Sequence, residues 1–278
     1  MFQAYIEPGV PVPLFWLFVS AAIIIQGISK SGFAGGAGIL SLPLMMLVMP
    51  VDKVAATLLP LLILCDFNAI YHHRHNKDWT QIMRVYIPSC LGIVLGALVW
   101  WKIGREGVEH YSLLVKRMVG VIAIVFGLYI IAKERSMAWV AHHEAGRKTA
   151  VVVGIVGGFT STIAHASGPI VSLYIYSQGF SKSLFVGTVA WTFTLINLTK
   201  LPFYAWAGLV DTKVLWFDAC LVALIPLGSW LGHWMHQRVS EWWFTRIIMV
   251  LTLVAGVQLL FNVQVIQGVL RLLVGDPG

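Results

Sequence analysis

Residues 27–47 read GISKSGFAGGAGILSLPLMML, and this stretch decides the fold. It lies within an apolar run from Leu14 to Met49. That run is too long for one membrane crossing, because a helix covers the roughly 30 Å of hydrocarbon in about 20 residues. It is interrupted by Ser29-Lys30-Ser31-Gly32 and then by Gly35, Gly36 and Gly38. The reading is a helix entered near Leu14, a glycine-rich break, and a second short helix starting near Gly38.

Outward from this break the chain alternates apolar runs with short charged stretches. Clean spans are expected at about 54–72, 80–101 and 113–132. A basic connector, 133–148, divides the chain. Residues 149–178 then form a second over-long apolar stretch, broken around Ser161–Pro169, and spans at about 183–205, 214–235 and 244–262 complete the series. The apolar tail 263–274 is short and is expected at the membrane interface.

Composition agrees. The chain is 58% hydrophobic and only 11% charged, against about 45–50% and 25% in soluble domains. No stretch is long and polar enough to fold as a separate soluble domain. The net charge of +7 does not point to nucleic acid, because the basic residues sit at the ends of apolar runs. Positive-inside topology and anionic headgroups account for them there. Lys and Arg counting favours loops 72–79, 133–148 and 236–246 on the inside by a small margin. Trp79, Trp100, Trp101, Trp139, Trp242 and Trp243 stand near segment ends and suit interfacial belts. Cys65, Cys90 and Cys220 fall within apolar runs without metal-like spacing, and read as small core residues. No basic n-region precedes the first apolar run, so a signal peptide is not expected.

The two halves are a repeat. A shift of 126 places Gly32 on Gly158, Phe33 on Phe159, Ser41 on Ser167 and Pro43 on Pro169. With a small gap Lys53 falls on Lys182 and Asn68 on Asn197; a further gap brings Gly92 and Gly96 onto Gly228 and Gly232. The last pairs are both GxxxG, a spacing that lets transmembrane helices approach closely. Unwound backbone in hydrocarbon is tolerated only where protein or a water-filled cavity covers it, and paired broken segments point to a midplane binding site. If each broken segment returns to its own side, each half crosses an odd number of times and the halves are inverted.

The stretch 27–47, together with GFTSTIAHASGPIVSLYIYSQGFSKSLFVGT (158–188) and INLTKLPFY (196–204), resembles the sulfite exporter TauE/SafE family. The similarity covers essentially the whole chain, and its most specific parts are the glycine-rich first break and the AHxxGP second break. It implies a bacterial inner-membrane permease for sulfite, organosulfonates or related sulfur compounds. One departure is internal: Ser161-Thr162 stand where the first half has Gly35-Gly36.

Ionisable residues inside spans are costly and become functional candidates. Lys30 stands at the first break; it either serves a site or snorkels. Asp66 lies deep in its span, as an ion-pair partner for Lys30 or as the carrier of a coupling proton. Asn68 and Asn197 occupy equivalent repeat positions, as a paired amide at a site or as interhelical hydrogen bonds. His165 lies in the second break beside Ser161, Thr162 and Ser167, and either donates to an anion or satisfies broken-helix carbonyls. Lys200 shares a helical face with Asn197 and also lies close enough to the span's end to snorkel; Pro202 is expected to kink that helix. Half-helix N-termini near Gly38 and Gly168 offer free N–H groups and positive dipole ends. Donors and countercharge in this proportion suit an oxyanion, whereas a cation site wants several carboxylates; Asp218, the other acid within a span, lies nearer an end.

The expected fold is therefore all-α and polytopic. It comprises two pseudo-symmetric, inverted repeats (1–132 and 149–278) around the connector 133–148, each with a broken or re-entrant helix. The expected function is export of a small sulfur oxyanion, sulfite or an organosulfonate such as sulfoacetate. The alternative is a proton- or sodium-coupled importer of sulfur-containing anions. Substrate contacts are expected from Lys30, Ser31, Gly32, Asn68, Ser161, Thr162, His165, Ser167, Asn197 and Lys200, with Asp66 in an ion pair or a coupling role. No phosphate loop of the GxxxxGK[ST] type is present to use ATP. An enzyme would need His165 with Ser167, but Ser167 repeats Ser41, which has no comparable histidine. The His72-His73-Arg74-His75 run reads as a basic loop rather than a metal site. No cofactor is implied. The partners are the small anion and the lipid bilayer, with a homodimer as the assembly considered and no nucleic acid.

Overall fold

The structure is a computed structural model, and it describes residues 3–32, 36–140 and 145–263. Among these are eleven α-helices and no strand. In chain order they are α1 Val12–Gly32, α2 Ser41–Met46, α3 Val51–His73, α4 Trp79–Glu106, α5 Val108–Val140 and α6 Arg147–Ala164. Then follow α7 Gly168–Tyr176, α8 Lys182–Trp206, α9 Thr212–Leu221, α10 Leu224–Arg238 and α11 Glu241–Phe261. Of these α1, α3, α4, α5 and α8 are long and apolar enough to cross a bilayer, and α9 with α10 passes the same test only as a bent pair, a broken span or a re-entrant loop. The protein is a multi-pass membrane protein.

Several boundaries differ from expectation. The chain between α1 and α2 winds first as a 3-10 turn, Gly36–Leu40, so the short helix starts at Ser41 rather than near Gly38. Gly35 lies outside the described residues, as does the tail beyond Val263. Helix α5 runs on to Val140, so the first part of the basic connector is helical; residues 141–144 are outside the described set. The span expected at 214–235 is not clean: α9 and α10 meet at a 42° bend. The second break is narrower than expected, because α6 holds Ser161 and Thr162 in helix and ends only at Ala164.

Both broken segments fold back on themselves. The Glu7 N–H, before α1, donates to Val48 O, after α2, at 2.9 Å. Ala145, before α6, receives a bond from Gln178 Nε2 at 3.1 Å and donates its N–H to Ser177 Oγ at 3.4 Å, both after α7. Each segment is thus a hairpin whose ends meet. The mouth of the first lies beside Val51, the start of α3. The second opens at the other end of α3, because α6 runs parallel to α4. Gly154 meets Val85 and Ser89, Gly92 meets Ile155 and Phe159, and Gly96 meets Thr162. Helix α4 starts where α3 has just ended, about 34 Å from Val51 at 1.5 Å per residue.

The GxxxG pairs make the closest approaches. A Cβ on Gly92 would stand 2.0 Å from Ile155 O, and one on Gly228 would stand 2.6 Å from Ile24 O. Gly92 and Gly96 therefore press α4 against α6, while Gly228 and Gly232 press α10 against α1. Polar side chains face inward: Ser29, Thr57, Asp66, Thr162 and Lys200 are fully buried, whereas Leu91, Leu95, Trp216 and Trp230 face outward, toward lipid. Cys220 also faces outward, against the expectation of a core position. Trp79 and Trp243 are exposed as belt residues would be, but Trp100 is buried. Its indole N–H donates to Thr162 O at 3.0 Å, a last-turn carbonyl of α6 that no helical N–H reaches.

Candidate functional site

The second hairpin turns at His165, which adopts a left-handed backbone (φ 49°, ψ 31°). That conformation is uncommon outside glycine. It is fixed here by two closing bonds, His165 N–H to Ser161 O at 3.0 Å and Ala166 N–H to Thr160 O at 3.4 Å, the pattern that commonly ends a helix. Pro169 then opens α7, where a missing N–H costs nothing.

Side chains add further bonds to the carbonyls of the α6 terminus. Lys200 reaches from α8 and its ammonium has three neighbours: Ser161 O at 3.1 Å, Ser161 Oγ at 3.0 Å and His165 Nδ1 at 3.0 Å. An ammonium has three protons and no lone pair, so all three partners accept. His165 Nδ1 is then unprotonated, and its Nε2 carries the proton, which it donates to Ala55 O at 3.1 Å. The imidazole is neutral, and both nitrogens are engaged.

On the other wall, Asp66 of α3 is fully buried. Its two oxygens are divided between two helices: Oδ1 pairs with Lys30 at the end of α1, and Oδ2 accepts from Asn197 Nδ2 at 2.6 Å. Lys30 also lies 5.0 Å from the centre of the Phe193 ring. The ionisable side chains of these walls are thus two lysines, one carboxylate and one histidine. Between these walls is a cavity of about 40 Å³, on a measure where one water needs roughly 10–15 Å³. Lys30, Ser161, His165, Ser167 and Asn197 line it together with Gln26. Gly168, at the N-terminal end of α7, and Leu62, the middle residue of α3, line it too. The cavity thus sits halfway along a spanning helix, where both hairpin turns meet.

The family model described as sulfite exporter TauE/SafE matches residues 19–259. The chain belongs to the TauE/SafE family. No curated protein and no solved structure matches it. The matched region of this TauE/SafE chain takes in the second hairpin, all of the first but its opening residues, and the whole cavity, and the family is one of transporters.

Of the residues singled out from the sequence, Lys30, Ser161, His165, Ser167 and Asn197 line the cavity, while Asp66 and Lys200 stand behind its wall, bonded to lining residues. Gly32 closes α1. Ser31, Asn68 and Thr162 are placed elsewhere, and helical geometry is the reason. At 3.6 residues per turn, one residue is about 100° of rotation and two are about 200°. Ser31, next to Lys30, turns to α10 and bonds Gly27 O at 2.7 Å and Ser229 O at 3.0 Å. Asn68, two residues past Asp66, donates to Ser229 Oγ at 3.0 Å and is exposed. Thr162, next to Ser161, faces α4 and bonds Gly158 O at 2.8 Å. The amides of Asn68 and Asn197 thus share a repeat position but not an environment. In the basic loop, Arg74 Nε donates to His75 Nε2 at 3.0 Å; the side chains of His72 and His73 lie outside the described residues.

Gln26 and Phe193 were missed. Gln26 lies over Gly38, where any Cβ would come within 2.5 Å of its Oε1. It is the one amide in the apolar run 14–28, and that isolation is a signal of the same kind that marked Asp66.

Proposed function

We propose that the protein exports a small sulfur oxyanion, sulfite or an organosulfonate such as sulfoacetate, across the bacterial inner membrane. The observation that carries this reading is two lysines at the cavity against one carboxylate, Lys30 in its lining and Lys200 behind Ser161 and His165; with both lysines protonated, the site holds one excess positive charge. Uncompensated charge in a low-dielectric interior favours an anion there. The first N–H groups of α7 add donors at its positive end. The family supplies the substrate class.

The transport cycle follows from the hairpins. We read the halves as inverted repeats, supported by the two hairpin mouths at opposite ends of α3. The cross-pairing of each GxxxG helix with the other half's hairpin supports the same reading. Rocking of one half against the other opens the cavity alternately to either side. Outward movement of an anion is favoured by a potential that is negative inside, by about 2.3 kcal/mol per charge per 100 mV.

Proteoliposomes loaded with labelled sulfite or sulfoacetate test the proposal. Release is expected to accelerate when the lumen is made negative, and labelled gluconate, a carboxylate that lipid does not pass, is expected to stay inside. Equal release of both, or none of either sulfur anion, defeats the reading. A second reading, import coupled to protons or sodium, draws on the buried Asp66. Accumulation of external anion driven by an inside-negative potential separates it from export, which moves net negative charge outward.

A further inference from the structure

Lys30 and Asn197 both line the cavity, and both are held by the same carboxylate. Asp66 therefore occupies, as a side chain, the donors that an incoming oxyanion needs. We infer that Asp66 is a resident substitute for the substrate, and that each anion bound displaces its carboxylate from Lys30 and Asn197 and leaves it protonated. This rests on the proposed function and adds to it one proton carried with every anion.

An anion at Lys30 and Asn197 with Asp66 still ionised places two negative charges side by side, in a buried place where like charges shift each other's protonation. The groups facing Asp66 are Lys30 from α1 and Asn197 and Lys200 from α8, with His165 of the α6–α7 turn behind Lys200; Cys65 adjoins it on α3. Lys200 is saturated by Ser161 and His165, so it has no proton to offer the displaced carboxylate. Lys30 cannot serve two anions from one ammonium without sharing it. Protonation removes the conflict: the neutral acid releases Lys30, keeps a hydroxyl to donate, and leaves Asn197 free to turn to the substrate. The balance is simple, because one proton is taken from water, no covalent bond to the substrate forms, and the same proton returns to water when the anion leaves. For a dianion such as sulfoacetate, the loaded step still moves one net negative charge, so export down the potential survives.

The competing account is a permanent Lys30–Asp66 ion pair that only holds α1 to α3. Titration calorimetry with sulfoacetate separates the two, because its acidic groups stay ionised from about pH 6 to 8. Wild-type protein is titrated in two buffers of different ionisation enthalpy, and the difference counts protons. The expectation is one proton taken up per anion bound, with affinity falling toward tenfold per pH unit over the alkaline part of the range. Asp66→Asn is expected to bind at least tenfold tighter at the alkaline end, with no proton uptake and no pH dependence. Binding by the wild type without proton uptake overturns the inference while the proposed function stands. Loss of affinity in a folded Asp66→Asn variant overturns it too. If wild-type protein binds neither sulfoacetate nor sulfite at any pH, the proposed function itself fails, and the inference with it. The proton count is read on wild-type protein, so the test does not depend on the variant folding.

Discussion

Lys200→Met separates an electrostatic role from a structural one. The Lys200 ammonium has no donor left for an anion, since its three protons go to Ser161 O, Ser161 Oγ and His165 Nδ1. What the cavity feels is its charge. Ser161 and His165 form the wall between them, so an anion oxygen one hydrogen bond beyond that wall stands roughly 5–6 Å from Nζ. At an effective dielectric of about 20, a pair of unit charges at that separation interacts by about 3 kcal/mol. That is about two orders of magnitude in affinity. The effect on folding is smaller, because two terms oppose each other. Orphaning His165 Nδ1 costs about 1–3 kcal/mol, while a buried ammonium no longer has to be stripped of water. Ser161 O keeps the His165 N–H. The assay is anion affinity by calorimetry beside a melting curve in the same detergent. A variant that melts within a few degrees of wild type and binds sulfite within about threefold of it refutes the reasoning, and Lys200 is then only a cap on α6.

Removing the other lysine gives a different signature: Lys30→Met strands a buried carboxylate and is expected to cost about 3–5 kcal/mol of stability, recovered in Lys30→Met with Asp66→Asn; equal melting of single and double variants counts against the ion pair. The hairpins are checked by disulfide trapping, with Glu7→Cys/Val48→Cys and Ala145→Cys/Ser177→Cys each expected to crosslink within one chain; failure of both to close leaves the fold-back without support. Gly158→Val places a Cβ 2.1 Å from Ser89 O and is expected to prevent α6 from seating on α4, whereas Gly146→Ala has nothing within 4 Å and is expected to insert and melt like wild type; a normal Gly158→Val would show that the two helices do not touch as described. Finally, His165→Ala removes the ring that receives Lys200 and reaches Ala55 at a left-handed backbone position, so the melting temperature is expected to fall, and an unchanged one contradicts a supporting role for the ring.

The large features were legible because hydrocarbon enforces them. A run too long for one crossing, broken at Ser29–Gly38, has to fold back or kink, and a letter-by-letter repeat exposes its counterpart at His165. A buried Asp66 and Lys200 are expensive enough to announce themselves in an apolar run. Direction around a helix was less legible. Ser31, Asn68 and Thr162 sit one or two residues from Lys30, Asp66 and Ser161, and only the azimuth sends them to α10 or α4. The GxxxG spacing forecast close packing but not its partner, which turned out to be the hairpin of the other half. The bend between α9 and α10 had no glycine or proline at Val222–Ala223 to mark it; Pro226 lies past it. Trp100 read as a belt residue because its sequence position is near a helix end, whereas the α6 carbonyl it satisfies is distant in the chain.

A sulfur oxyanion is expected in the cavity between the two hairpin turns. Selenite has the shape and charge of sulfite and a heavy atom that can be located by anomalous diffraction. Crystals of the protein soaked in selenite are expected to show one strong peak lined by Lys30, Asn197, Gln26 and the start of α7, abolished by excess sulfite. A peak at the basic loops alone, or a cavity that stays empty while selenite saturates the protein, contradicts the account.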